Sequence, residues 1–149
     1  MSVQSAITPT AGAAGTTDIN GSVVDMANFQ QVVAVVYMGA ITAGAVTSVK
    51  WQQGDVVDDA DAPTDITDAA DLAGTGITIA ADDDEEIFTS TLICPSDRYV
   101  RIVVDRGTQN AVVASAVYHK FGARTHPTTI SVDDSVTFER HVTPAEGTA

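Results

Sequence analysis

Gln31-Val32-Val33-Ala34-Val35-Val36-Tyr37-Met38 is a continuous run of largely β-branched residues. Side chains branched at Cβ fit a pleated strand and lose freedom in a helix. A run of this length without alternation is expected to be a strand buried on both faces. It stops at Gly39, and residues 39–44 read as a connection. Val46 to Gln53 then alternates, with Thr47, Val49 and Trp51 pointing one way and Ser48, Lys50 and Gln52 the other. That is a half-exposed strand in which Trp51 caps the core.

The same period of two recurs further along. Ile87 to Ile93 places Ile87, Thr89 and Thr91 on one face and Phe88, Ser90 and Leu92 on the other, and Pro95 ends it. Arg98 to Asp105 turns Val100, Ile102 and Val104 inward and sets Tyr99, Arg101 and Val103 on the opposite face. A turn at residues 106–110 is expected to fold Ala111 to Lys120 back as a hairpin strand, with Val112, Ala114, Ala116 and Tyr118 on one side. Ile19 to Val24, broken by Asn20-Gly21, and the pair Ile77 and Ile79 add short strands. Residues 54–75, rich in Asp, Ala and Thr, have few large apolar side chains and read as a long acidic loop. Short strands, turn signals every eight to twelve residues and no convincing helix indicate an all-β fold, an antiparallel β-sandwich of jelly-roll type. The body spans residues 18–121. Residues 1–17 and 122–149 lack periodicity and read as extended N- and C-terminal arms.

Charge narrows the classes of partner. Among 149 residues, 20 are acidic and 7 basic, a formal charge of −13. Such a field repels phosphate backbones and anionic lipid, so neither nucleic acid nor a membrane is an expected partner. No apolar run is long enough to span a bilayer, and Met1 to Ala6 lacks the basic and apolar regions of a secretion signal. The charge is also uneven. Residues 1–97 hold fifteen acidic side chains and one basic one, Lys50, whereas residues 98–149 hold five acidic and six basic ones.

Motifs for chemistry are missing from the pattern. His119, His126 and His141 stand at no catalytic spacing from a carboxylate or a nucleophile, and no phosphate-binding glycine loop occurs. The single cysteine, Cys94, reads as a small buried hydrophobe. Asp55 to Asp68 lacks the glycine and glutamate of a helix-loop-helix calcium loop, and the consecutive Asp82 to Glu86 would alternate sides in an extended chain. Neither an enzyme nor a resident cofactor or metal is expected.

One pattern of residues is more specific. Val35-Val36-Tyr37-Met38-Gly39-Ala40-Ile41-Thr42-Ala43-Gly44, the alternating strand after it, an Asp-rich insertion, Arg98-Tyr99-Val100-Arg101, an Ala/Val strand and then Ala123-Arg124 with Pro127 follow one another over residues 18–127. This succession resembles small head decoration, or cement, proteins of tailed bacteriophages. The resemblance implies a protein on the virion exterior, made in the host cytoplasm, that stabilises the head by bridging major capsid protein subunits. It also implies association with itself as a dimer or trimer. On that expectation Arg98, Arg101 and Arg124 meet carboxylates across subunit boundaries, and Tyr99 beside Arg101 forms a surface anchor, with Trp51 a further interface candidate. Two other classes fit the same pattern: a tail or neck β-sandwich of the virion, and a calcium- or carbohydrate-binding module for host attachment.

Overall fold

The computed structural model describes residues 1–8, 14–80 and 82–124. Among them the chain forms strands and no helix, in two antiparallel sheets packed face to face as a β-sandwich. In chain order the strands are β1 (Ser2–Ile7), β2 (Ala14–Gly15), β3 (Ile19–Asn20), β4 (Val24–Asp25), β5 (Phe29–Ile41) and β6 (Val46–Gly54). They continue with β7 (Ala70–Asp71), β8 (Ile77–Ile79), β9 (Ile87–Ile93), β10 (Tyr99–Gly107) and β11 (Ala111–Ala123). The first sheet has the order β1-β11-β5-β9, with β2 also on β11. The second has the order β3-β10-β6-β7, with β4 on β10 and β8 on β6.

The core lies between the sheets and follows the period of two. Val32, Ala34, Val36 and Met38 of β5, with Val113, Ala116 and Tyr118 of β11, face Val49 and Trp51 of β6 and Val100, Ile102 and Val104 of β10. Because most of these side chains are small, two aromatic rings fill the middle. Trp51 and Tyr118 stack with centroids 5.9 Å apart. Removing either ring would leave a cavity of the kind that costs about 3–5 kcal/mol.

Several expectations change in the folded chain. β11 does not pair back on β10 as a hairpin; it crosses to the other sheet and lies between β1 and β5. Both edges of β10 are already taken, one by β6 and the other by β3 and β4, so no edge remained for β11. Register shifts between Ala111 and Ser115 also rephase β11, burying Ala111, Val113, Ala116 and Tyr118 while Ala114 is exposed. The expected N-terminal arm is in part a piece of the body: Ser2–Ile7 is an edge strand on β11, and Ala6 and Ile7 enter the core. Gln4 Nε2 donates to the Val23 carbonyl and the Ser22 N–H donates to the Ala6 carbonyl, tying this edge to the segment that borders the second sheet. Of the expected C-terminal arm, residues 125–149 lie outside the described residues.

The largest change concerns which strand is covered on both sides. In β5 only one face is buried, and Val33 and Val35 on the other are half-buried. In β10 every residue from Tyr99 to Val104 is buried. Over Tyr99 and Arg101 the cover comes from the acidic excursion, expected to bury little. A bridge between Val57 and Ile66 folds it over, and Ile66 packs with Val23 and Tyr99 in a second apolar cluster outside the sandwich.

Candidate interaction surfaces

The five residues expected at an interface divide into two groups. Trp51 is 1% exposed, and its indole N–H donates to Ser90 Oγ at 2.9 Å, so it belongs to the core and offers nothing to a partner. Tyr99 is buried in the cluster under the acidic loop. Arg101 is buried as well. Its guanidinium donates to Gln52 Oε1 at 2.9 Å and to the carboxylate of Asp65, which reaches in from the loop. The alternation of β10 held, but the face carrying Tyr99 and Arg101 is turned toward the chain's own loop. A Tyr-Arg pair suited to an interface is here an interface within one chain.

The loop itself is built from its carboxylates. Asp58 accepts the N–H groups of Thr64 and Asp65 and the hydroxyl of Thr64, and these bonds hold its carboxyl well below the usual range. Asp68 accepts the N–H groups of Val56 and Asp55, with the same direction of shift. Asp59 accepts the N–H of Asp61 at 2.9 Å. Asp71 joins the loop's far end to the sheet through Lys50 Nζ at 2.8 Å and Gln52 Nε2 at 2.7 Å, and the Lys50 bond lowers its pKa first of all. These groups serve as turn caps and anchors. No set of three or more His, Cys, Asp or Glu side chains converges on one point among the described residues.

Arg98 and Arg124 are brought together. They line an open cavity of about 300 Å³ at one end of the sandwich, with Met26, Pro95 and the acidic Asp55 and Asp97 on its walls. Arg98 makes a two-pronged pair with Asp25 at 3.0 and 2.7 Å, and its guanidinium lies 4.9 Å from the centre of the Tyr99 ring. Burial pushes the Asp25 carboxyl up, but the bonds from Arg98 and the Ala27 N–H outweigh it and hold the group ionised. Arg124 is exposed, positioned by its N–H, which donates to the Asn28 carbonyl at 2.9 Å. Cys94, expected to be buried, is exposed just past β9, where its φ of 48° turns the chain toward Pro95.

The outer face of the first sheet is of a different kind. In register across it run Val3, His119, Val33 and Thr91; then Ser5, Val117, Val35 and Thr89. On either side lie Ser115, Tyr37 and Ile87, and Phe121, Gln31 and Ile93. None of these positions is Asp, Glu, Lys or Arg, in a chain with a formal charge of −13. Ile87 and Ile93 are 58% and 65% exposed. The outer face of the second sheet, by contrast, carries Lys50 between Asp71 and Asp105. The sequence did carry a signal for this face: the missing alternation in residues 32–36.

Compared with known proteins, the chain matches no family model, and no curated protein is significantly similar to it. The geometry offers surfaces rather than a pocket of converging reactive groups among the described residues.

Proposed function

We propose that the protein is a structural component of a virus particle, a head decoration protein that binds the outside of a capsid and holds neighbouring subunits together. The observation that carries this reading is the sorting of its surface. One sheet face has none of the chain's Asp, Glu, Lys or Arg at its register positions from Ile87 to Ile93, while acidic groups gather in the loop over the other sheet, around the sandwich end and in the turn of residues 82–86 that leads into β9. A molecule with a neutral apolar face and a separate acidic one suits two different contacts at once. The succession of residues from Val35 to Pro127 that resembles phage decoration proteins supports the same reading. Exposed carboxylates such as Asp59 and Asp61 fit basic patches of a shell, and Arg98 and Arg124 fit carboxylates at the same contact. Affinity in such a lattice comes from many copies acting together rather than from one tight site.

The test compares purified shells that carry the protein with shells stripped of it and then reloaded. A cementing role requires loaded and reloaded shells to melt higher than stripped ones, and equal melting of all three rejects it. Copy number separates a shell protein from a neck or tail component: hundreds of copies on the one hand, a ring of six or twelve on the other.

A further inference from the structure

The face of the first sheet without Asp, Glu, Lys or Arg has no cover among the described residues, yet aliphatic side chains hold its middle and line its β9 edge. Val33, Val35 and Val117 sit at its middle, flanked by Tyr37, Ile87 and Ile93, and none of the six belongs to either core cluster. With four strands about 4.8 Å apart and about 3.4 Å per residue, the face spans roughly 450 Å² in projection, at the size that marks a contact surface on a soluble protein. We infer that this face pairs with the same face of a second copy, sheet against sheet about a two-fold axis.

Charge selects the occupant. Two chains that each carry −13 repel one another wherever their acidic surfaces meet. The β1-β11-β5-β9 face lets them approach over rows without Asp or Glu, with the acidic Glu85 and Glu86 only at its rim beside Gly39 and Ile87. A basic foreign partner, by contrast, gains most from the acidic side and little from a neutral one. The rows of this face, mostly Val, Ile, Thr and Ser with Gln31, Tyr37 and His119, hold no Asp, Glu, Lys or Arg that would demand an opposite charge, and hydroxyls that both donate and accept can meet their own copies. Two such faces stacked about 10 Å apart bury about 900 Å² in projection and more in accessible surface, near the roughly 1,000 Å² that a specific pair requires. The continuous apolar run of β5 is then buried on both sides, one by its own core and the other by its copy. This inference deepens the proposed structural role, and its biological sense rests on that role.

The test is the mass of the full-length chain in solution, by light scattering and sedimentation equilibrium. Reductant is included throughout, so that a disulfide between exposed Cys94 thiols contributes nothing. At about 100 µM, well above the dissociation constant of a specific pair, the expected mass is twice 15.4 kDa. Added sodium chloride leaves that mass unchanged or strengthens pairing, because it screens the repulsion between chains. Val35→Lys sets charges against each other at the centre of the face and weakens pairing by about tenfold or more. Thr89→Lys, at an exposed position of the same face, gives the same shift without touching the core, so a folding defect in the first variant decides nothing. Thr78→Lys, exposed on the second sheet, leaves the pair intact. A single-chain mass for the unaltered protein, a three-chain mass, dissociation by salt, or a dissociation constant from a sedimentation concentration series that neither lysine substitution on the face raises would each overturn the inference. All arms use free protein. Pairing without affinity for shells would sink the capsid role alone, and shell binding by a single-chain species would sink the pairing alone.

Discussion

The phenolic oxygen of Tyr118, on β11, accepts the backbone N–H of Ile102, on β10, at 2.8 Å across the space between the two sheets. The bond fills a gap in the second sheet. β3 pairs with Val103 and Val104, and β4 with Tyr99 and Val100, so the strand edge at Ile102 lies between the two. There the Gly21 N–H donates to the Ile102 carbonyl at 2.9 Å, and Tyr118 takes the remaining donor. Burial pushes the Tyr118 hydroxyl far above its ordinary pKa, so it stays protonated.

Tyr118→Phe therefore strands a buried N–H and is expected to cost about 1–3 kcal/mol, several degrees in Tm. Gly21 stands against the same hydroxyl: a Cβ there would lie 2.6 Å from the Tyr118 oxygen and 3.0 Å from Ile102 Cγ1. Gly21→Ala is accordingly destabilising, and less so in the Tyr118→Phe background. A double-mutant cycle by chemical denaturation measures this, and strict additivity would contradict it.

Arg101 fastens the acidic loop to β10. Arg101→Lys keeps the charge but loses the planar fork shared between Gln52 and Asp65. The expected cost is about 1–2 kcal/mol, at the low end for a charged hydrogen bond because Asp65 is exposed. Limited proteolysis should cut the variant within residues 55–69 several-fold faster than the parent, with the emission of the core residue Trp51 unchanged. Equal cleavage rates would show that the loop is held by its apolar cluster alone.

The loop's caps also give a pH dependence of definite sign. Asp58 has a folded pKa below its ordinary 3.8, so the stabilisation it contributes is full above about pH 4 and is lost as the pH falls toward the folded value. Asp58→Asn keeps the shape and removes the charge. Its Tm should lie below that of the parent by a constant amount from neutral pH down to about 5, and the gap should close below about pH 4. A gap that widened on acidification would reverse the assignment.

Cys94 is exposed in a turn and sits outside the core. One equivalent of maleimide should label the native chain without denaturant, and the labelled protein should melt within a degree or two of the unlabelled one. Labelling only after unfolding would place the thiol inside.

The distribution of faces explains how much could be read in advance. Period-two alternation is a local property of a pleated chain: it located β6, β9 and β10 and turned Val100, Ile102 and Val104 inward, and it set Trp51 at the core's edge, where it was also expected to meet a partner and is instead fully enclosed. Partner choice is not local. Nothing in Ala111 to Lys120 says whether it turns back on the preceding strand or crosses to the other sheet, because Ala116 and Tyr118 face inward in both arrangements and the register shifts that expose Ala114 leave no local mark. Ser2 to Ser5 carries no apolar rhythm, yet it is a strand because β11 offers it an open edge.

Fold class, the positions of the long strands and the inward sets of β6 and β10 were thus written in the order of the residues, since side chains on a strand must alternate whatever they later meet. What covers the outward set was decided only in three dimensions. The acidic excursion, anchored by Asp65 to Arg101 and by Asp71 to Lys50, closes over β10 and turns two expected anchors into interior residues. It leaves uncovered the outer face of β5, whose own residues have the composition of a strand enclosed on both sides. The reason is physical: apolar patterning encodes a tendency to leave water, and the surface that satisfies it comes from whatever chain the fold brings within reach.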